Sequence, residues 1–299
     1  MEVHMLNIIR IMLLLLVTTQ VSAKVIHSER SLYRNIIVEE QGNQRCLKFN
    51  TKSSKTNQSC IYKDAPKKLV FNYTKLVFSS LLMIDDPKSV LIIGLGGGTL
   101  SNTIHELYPN AVIDNVEIDP AVTKVARQYF DFIENDQISA VTQDGRIFIK
   151  RASLKKQKYD WIILDAFNGD YIPEHLLTKE FFEETKSILS DNGIISANTF
   201  SISELYFHES ATYYDVFGDF INVSNSKNNN RIILAGNKSQ PTNEMIQARV
   251  KKLTPRLKPF NIDIKAISKS MKSTQIKKDW PKETRILTDQ YSPANLLNL

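Results

Sequence analysis

The chain has 299 residues, of which 42% are hydrophobic, 23% charged and 9% aromatic, with two cysteines and a formal charge of +6. This composition excludes a disordered, collagen-like or disulfide-scaffold protein and supplies apolar material for a large core in one or two domains. The positive charge is concentrated in residues 238–285, which hold thirteen Lys/Arg against four Asp/Glu; such a run is a solvated surface more often than a nucleic-acid site, and no nucleic-acid partner is expected.

At the start of the chain, Arg10 precedes an apolar run over 11–17, then polar residues and Val21-Ser22-Ala23. That is the order of a secretory signal, and seven apolar residues fall far short of the ~20 that span a bilayer. Export to the periplasm or outside the cell after cleavage near Ala23 is therefore expected, with membrane contact only through this segment. In an oxidising compartment Cys46 and Cys60 would close a polar loop, a gain of roughly 3 kcal/mol; two free thiols are the alternative.

Residues 24–65 are expected to form a small β-hairpin domain, with strands over 32–38 and 45–49 around a break at 41–43. A helix is predicted over 66–83 from the spacing of Leu69, Tyr73, Leu76, Val77 and Ser80. From there to the end a single ligand-binding domain, 66–299, is predicted. Strands at 90–93, 112–116, 138–141, 161–164, 194–197 and 231–235 alternate with helices such as 120–132 and 178–189. The polar run 224–230 is the loop of a terminal hairpin. Such alternation specifies an α/β fold with a parallel sheet covered on both faces.

Ligands bind such sheets beyond the carboxyl ends of the strands, and four features fall there. The first strand ends in a glycine turn containing Gly94, Gly96, Gly97 and Gly98, which lets backbone approach a ligand. The second ends at Glu117, 23 residues beyond Gly94, the separation at which an acid accepts ribose hydroxyls. The third ends in Asp144-Gly145, suited to an exocyclic amine, and the fourth in Asp165-Ala166-Phe167-Asn168-Gly169-Asp170. Singly, each is also explained by tight packing or helix capping; in this order they describe a nucleoside pocket. Thr99 occupies the third glycine position of the NAD fingerprint, and Asp144-Gly145 favours an S-adenosyl compound.

The segments IIGLGGGTL, VEIDP, QDGR and YDWIILDAF resemble the spermidine synthase (polyamine aminopropyltransferase) family. LLTKEFFEETKSILSDNGIIS and the β-rich N-terminal part resemble it too. The resemblance implies a Rossmann-like class I methyltransferase fold, a parallel sheet with a terminal antiparallel strand, preceded by a small N-terminal β domain. It implies decarboxylated S-adenosylmethionine or S-adenosylmethionine as co-substrate, without a metal, and a small-molecule amine such as putrescine as acceptor. It places Glu117 on the ribose, Asp144 on the adenine amine, and residues 94–98 around the aminopropyl or amino-acid tail. A homodimer is the assembly considered.

The chain also departs from that family. Gly96 stands where the glycine loop has an internal aspartate, Tyr33-Arg34 replaces Tyr-Gln, Tyr73-Thr74-Lys75 replaces Tyr-His-Glu, and Asn168 replaces the second aspartate after strand four. A diamine is cationic at neutral pH, so a base must remove one proton before nitrogen attacks the carbon beside the sulfonium. Asn168 is a poor base, and Arg34 and Lys75 are expected to repel a diamine. The working assignment gives Asp165 the donor and Asp170 the base, with Tyr73 and Asn168 facing the acceptor. His175 and His208 are read as surface or packing residues. The ending LTDQYSP over 287–293 resembles a divergent spermidine synthase-like branch. A methyltransferase using the same pocket, or a non-catalytic nucleoside- or polyamine-binding protein, are the competing functions.

Overall fold

The computed structural model describes residues 22–49, 57–167, 172–201, 204–224, 229–237 and 239–297. Most of the expected signal segment therefore lies outside the described residues. β1 (Lys24–Arg30), β2 (Asn35–Gln41), β3 (Gln44–Phe49) and β4 (Asn57–Tyr62) form a four-stranded antiparallel sheet in chain order. The predicted break is a two-residue turn, Gly42-Asn43, with Gly42 at φ +57° and Gln41 opposite Gln44; a positive φ there is what glycine supplies without steric cost. The strand predicted from residue 32 begins instead at Asn35. The Ser31 hydroxyl accepts from the amides of Tyr33 and Arg34, bending 31–34 into a turn that leaves Leu32 98% exposed. The preceding strand β1 carries no apolar run and was not predicted.

Cys46 and Cys60 are directly opposed on β3 and β4 and joined in a disulfide, Cα–Cα 4.1 Å. The double substitution of both by serine is expected to cost roughly 3 kcal/mol and to lower the thermal midpoint by roughly 5–10 °C. A midpoint within 1–2 °C of wild type in calorimetry would contradict this.

The helix predicted over 66–83 starts only at Asn72. Before it, residues 65–68 form a turn closed by the Lys68 amide donating to the Ala65 carbonyl, and the Leu69 amide donates to the Phe260 carbonyl. Helix α1 (Asn72–Val77) then tightens into a 3-10 turn, Phe78–Leu82. Ser79 and Ser80 hydroxyls donate to the carbonyls of Leu76 and Val77, the side-chain competition that disfavours regular α-helix.

The second sheet has eight strands. Its parallel part comprises β5 (Ser89–Ile93), β6 (Val112–Glu117), β7 (Ile138–Thr142), β8 (Tyr159–Leu164) and β9 (Leu189–Phe200). The antiparallel part comprises β10 (Ile221–Ser224), β11 (Asn230–Gly236) and the short β12 (Met271–Ser273), in the overall order β12-β10-β11-β9-β8-β5-β6-β7. The expected α/β fold is thus present, and β10 and β11 form the expected terminal hairpin. Alternate residues of β5 feed opposite core layers: Val90 and Ile92 pack in one, Leu91 and Ile93 in the other. Helix α2 (Thr99–Leu107) follows the glycine turn after β5, and helix α3 (Pro120–Tyr129) packs Val122 and Val125 against Ile36, Val38 and Leu47 of the small sheet. That contact seats the small sheet over the carboxyl ends of the parallel strands.

Candidate active site

The ends of β5, β6, β7 and β8, together with Arg34, Phe49 and Ser59 of the small β unit, enclose a cavity of about 240 Å³. Gly94, Gly96, Glu117, Asp144, Gly145, Asp165 and Tyr73 all line it, so most of the residues picked from sequence converge. Gly97 and Gly98 do not. A side chain at Gly97 would meet Ser59 and Phe130, and one at Gly98 would meet Phe132; these two glycines serve packing. Asn168 and Asp170 lie outside the described residues.

Glu117 is fixed by its own backbone surroundings. Its Oε2 accepts from the Leu95 amide at 3.1 Å and its Oε1 from the Asp119 amide at 3.0 Å. Burial raises its pKa, opposed by these two amides and by Arg34. Asp144 caps helix α4 (Gly145–Leu154) by accepting from the Ile147 amide at 3.0 Å, so the bland reading of a strand-end acid holds here too. Its other oxygen accepts from His175 Nε2 at 2.9 Å, and the His175 hydrogen bond holds its pKa below the ordinary carboxylate value. His175 is exposed, as expected, and also lines the cavity, which adds it to the candidate site. His208 behaves as expected, donating from Nδ1 to the Arg285 carbonyl at 2.6 Å.

Asp165 sits opposite Tyr73. Its Oδ2 accepts from the Tyr73 hydroxyl at 3.4 Å and its Oδ1 from Asn198 Nδ2 at 2.9 Å. The Asn198 carbonyl oxygen accepts from Asn230 Nδ2 at 3.0 Å, which orients the Asn198 amide so that its donor faces Asp165. Burial pushes Asp165 up to about 7, against the lowering effect of the Asn198 and Tyr73 hydrogen bonds. A carboxyl poised near neutrality beside a cavity suits general base work.

Arg34 lines the same cavity with its charge already engaged. Its Nη1 donates to the Phe167 carbonyl at 3.2 Å, its Nε lies 3.9 Å from the buried Asp119, and its guanidinium stacks over Phe49 at 4.4 Å. Lys75 is half-buried and does not line the cavity; burial lowers its pKa. The predicted repulsion of a diamine is therefore weaker than the sequence suggests. Asn198, Asn230 and His175 carry no signal of their own: two are amides in ordinary strands, and the histidine stands alone after Pro173.

Among the described residues no group of three or more His, Cys, Asp and Glu is arranged to hold a metal, and no helix is long and apolar enough to cross a membrane. The spermine/spermidine synthase domain matches residues 70–218. A polyamine aminopropyltransferase of Vibrio vulnificus is 46% identical over 275 residues, 91% of each chain. The chain belongs to the spermine/spermidine synthase family. Solved structures agree on the fold of this family. A probable spermidine synthase from Corynebacterium glutamicum superposes with a TM-score of 0.69 at 19% identity, covering 89% of this chain and 97% of that one. A spermidine synthase in complex with the transition-state analogue AdoDATO gives 0.57 at 18% identity, covering 80% and 88%. The cavity lies beyond the carboxyl ends of the parallel strands, at the point where the sheet order reverses between β5 and β8.

Proposed function

We propose that the protein transfers the aminopropyl group of decarboxylated S-adenosylmethionine to an amine such as putrescine. The observation that carries this reading is Asp165, a half-buried carboxyl whose pKa desolvation pushes up to about 7, in one cavity with Glu117 and Asp144. Asp165 takes a proton from the acceptor ammonium. The freed nitrogen attacks the methylene carbon bonded to the sulfonium, the carbon–sulfur bond breaks, and its electron pair stays on sulfur as 5′-methylthioadenosine leaves. Tyr73 steadies the carboxylate before transfer, and Glu117 and Asp144 hold ribose and adenine. We give the base role to Asp165 on its geometry and environment; Asp170, the base that the sequence pattern points to, lies outside the described residues.

Charge favours the decarboxylated donor. Glu117, Asp144 and Asp165 line the cavity against Arg34, whose charge is met by Asp119 and the Phe167 carbonyl. A dicationic donor suits that wall, and intact S-adenosylmethionine would add another carboxylate. We also propose that the mature protein is exported; the Cys46–Cys60 disulfide fits an oxidising compartment and supports the signal pattern over 10–23.

The test is incubation of the protein with decarboxylated S-adenosylmethionine and putrescine. Release of 5′-methylthioadenosine with stoichiometric spermidine is expected. Release of S-adenosylhomocysteine from intact S-adenosylmethionine instead would favour the methyltransferase. Nucleoside binding without any turnover would favour a non-catalytic binding protein.

A further inference from the structure

The segment 287–293 is stitched to the rim of the cavity by a set of polar contacts. The Leu287 carbonyl accepts from the Lys179 amide at 2.9 Å. Asp289 Oδ1 accepts from Arg146 Nη1 and from Thr178 Oγ1, each at 2.7 Å, and its Oδ2 accepts from Arg146 Nη2 at 2.8 Å. The Ser292 hydroxyl donates to the Glu174 carbonyl at 3.0 Å. Arg146 uses its other edge on Glu184 at 2.8 and 2.9 Å, and its Nη1 reaches the His175 carbonyl at 3.4 Å.

These contacts converge on one distance. Arg146 follows Asp144-Gly145 directly in the chain, while Glu174 and Thr178 flank His175. The tail therefore ties together the start of helix α4 and the turn that carries His175, and the gap between them is the 2.9 Å hydrogen bond from His175 to Asp144. A planar guanidinium held bidentately by two carboxylates allows little angular freedom, which suits Arg146 to keep that register.

We infer that Asp289, acting through Arg146 and the His175 turn, is a positioning residue for nucleobase recognition. The inference rests on the nucleoside reading of the cavity and adds how the base is told apart. An exocyclic amine needs an acceptor at a fixed place and direction; a ring carbonyl in the same place meets a carboxylate and is repelled. Discrimination between adenine and hypoxanthine therefore reports where Asp144 stands, whereas a general loosening of the fold weakens both ligands alike.

The experiment is calorimetric binding of 5′-methylthioadenosine and 5′-methylthioinosine to the full chain. Wild type is expected to prefer the adenine compound by at least ~10-fold, as for hydrogen bonding to a charged group. Asp289→Ala is expected to bring the ratio below about 3, mainly by weakening the adenine compound. Ser292→Ala, which removes one exposed hydroxyl, should narrow the ratio by a smaller factor and guards against a folding defect in the first variant. His175→Gln, which keeps an N–H for Asp144, should retain the preference that His175→Ala loses. An unchanged ratio in Asp289→Ala and Ser292→Ala, or equal weakening of both ligands, overturns the inference alone. Failure of wild type to bind or to discriminate overturns it together with the nucleoside reading.

Discussion

Asp165→Asn is expected to lower kcat for methylthioadenosine release by about 10³-fold, within the range assigned to general bases, while methylthioadenosine affinity stays within a few-fold of wild type. The asparagine keeps the shape that Tyr73 and Asn198 surround and loses the ability to take a proton. The pH profile supplies an independent check. Asp165 must be ionised to act, so turnover should rise with pH through about 7 and level off above it. Removing the Asn198 amide, as in Asn198→Leu, takes away a hydrogen bond that opposes the effect of burial, so the rising limb should move to higher pH. Stability follows the same proton. Because folding raises the Asp165 pKa from its ordinary value of 3.8 to about 7, its favourable contribution is complete below 3.8 and is lost as pH climbs through 7. Asp165→Asn escapes that loss and should melt higher than wild type at pH 8. Full turnover in the variant would remove Asp165 from the mechanism.

Gly94→Ala is expected to abolish nucleoside binding and to cost roughly 3 kcal/mol or more. Gly94 has φ +96°, and an added Cβ would stand 2.4 Å from the Asp165 carbonyl oxygen, 2.8 Å from its carbon and 3.1 Å from Ala166 Cα. All three are backbone atoms, so relief requires parting β5 from β8, which pair in register from Val90 opposite Trp161 to Ile93 opposite Leu164. Gly42→Ala is the control: it shares a positive φ but has no atom within 4 Å of the added carbon. It should lose about 1–2 kcal/mol and leave binding intact. Thermal unfolding and calorimetry on the two variants distinguish a general intolerance of side chains in turns from the close approach at Gly94.

These residues were legible because their chemistry is local. A glycine turn, an acid at a strand end and an apolar run of four each announce themselves within a few positions, and the parallel sheet and most of the cavity wall follow from them. What escaped depends on pairs far apart in the chain. His175 becomes a site residue through Asp144, Asn198 through Asp165 and Asn230, and Arg146 through Asp289. The strand β1 was missed because pairing with β2, not its own pattern, makes it extended. The helix is shorter than 66–83 because Leu69, although buried as its spacing implies, is held by Phe260 and not by a helical neighbour. Arg34 lines the cavity, and its pairing with Asp119 and the Phe167 carbonyl, both far away in the chain, leaves no mark on the sequence around it.

Arg34 carries one more consequence. Its hydrogen bond to the Phe167 carbonyl joins residues 133 positions apart, across the gap between the small sheet and the large one. The cavity exists only while both sheets are folded and docked, so neither half of the chain holds a binding-competent fragment. A ligand that binds the docked form alone lowers the free energy of both sheets at once. Saturation with nucleoside thus couples their unfolding, and the stabilisation is shared by both sheets, not confined to the one that holds most of the lining.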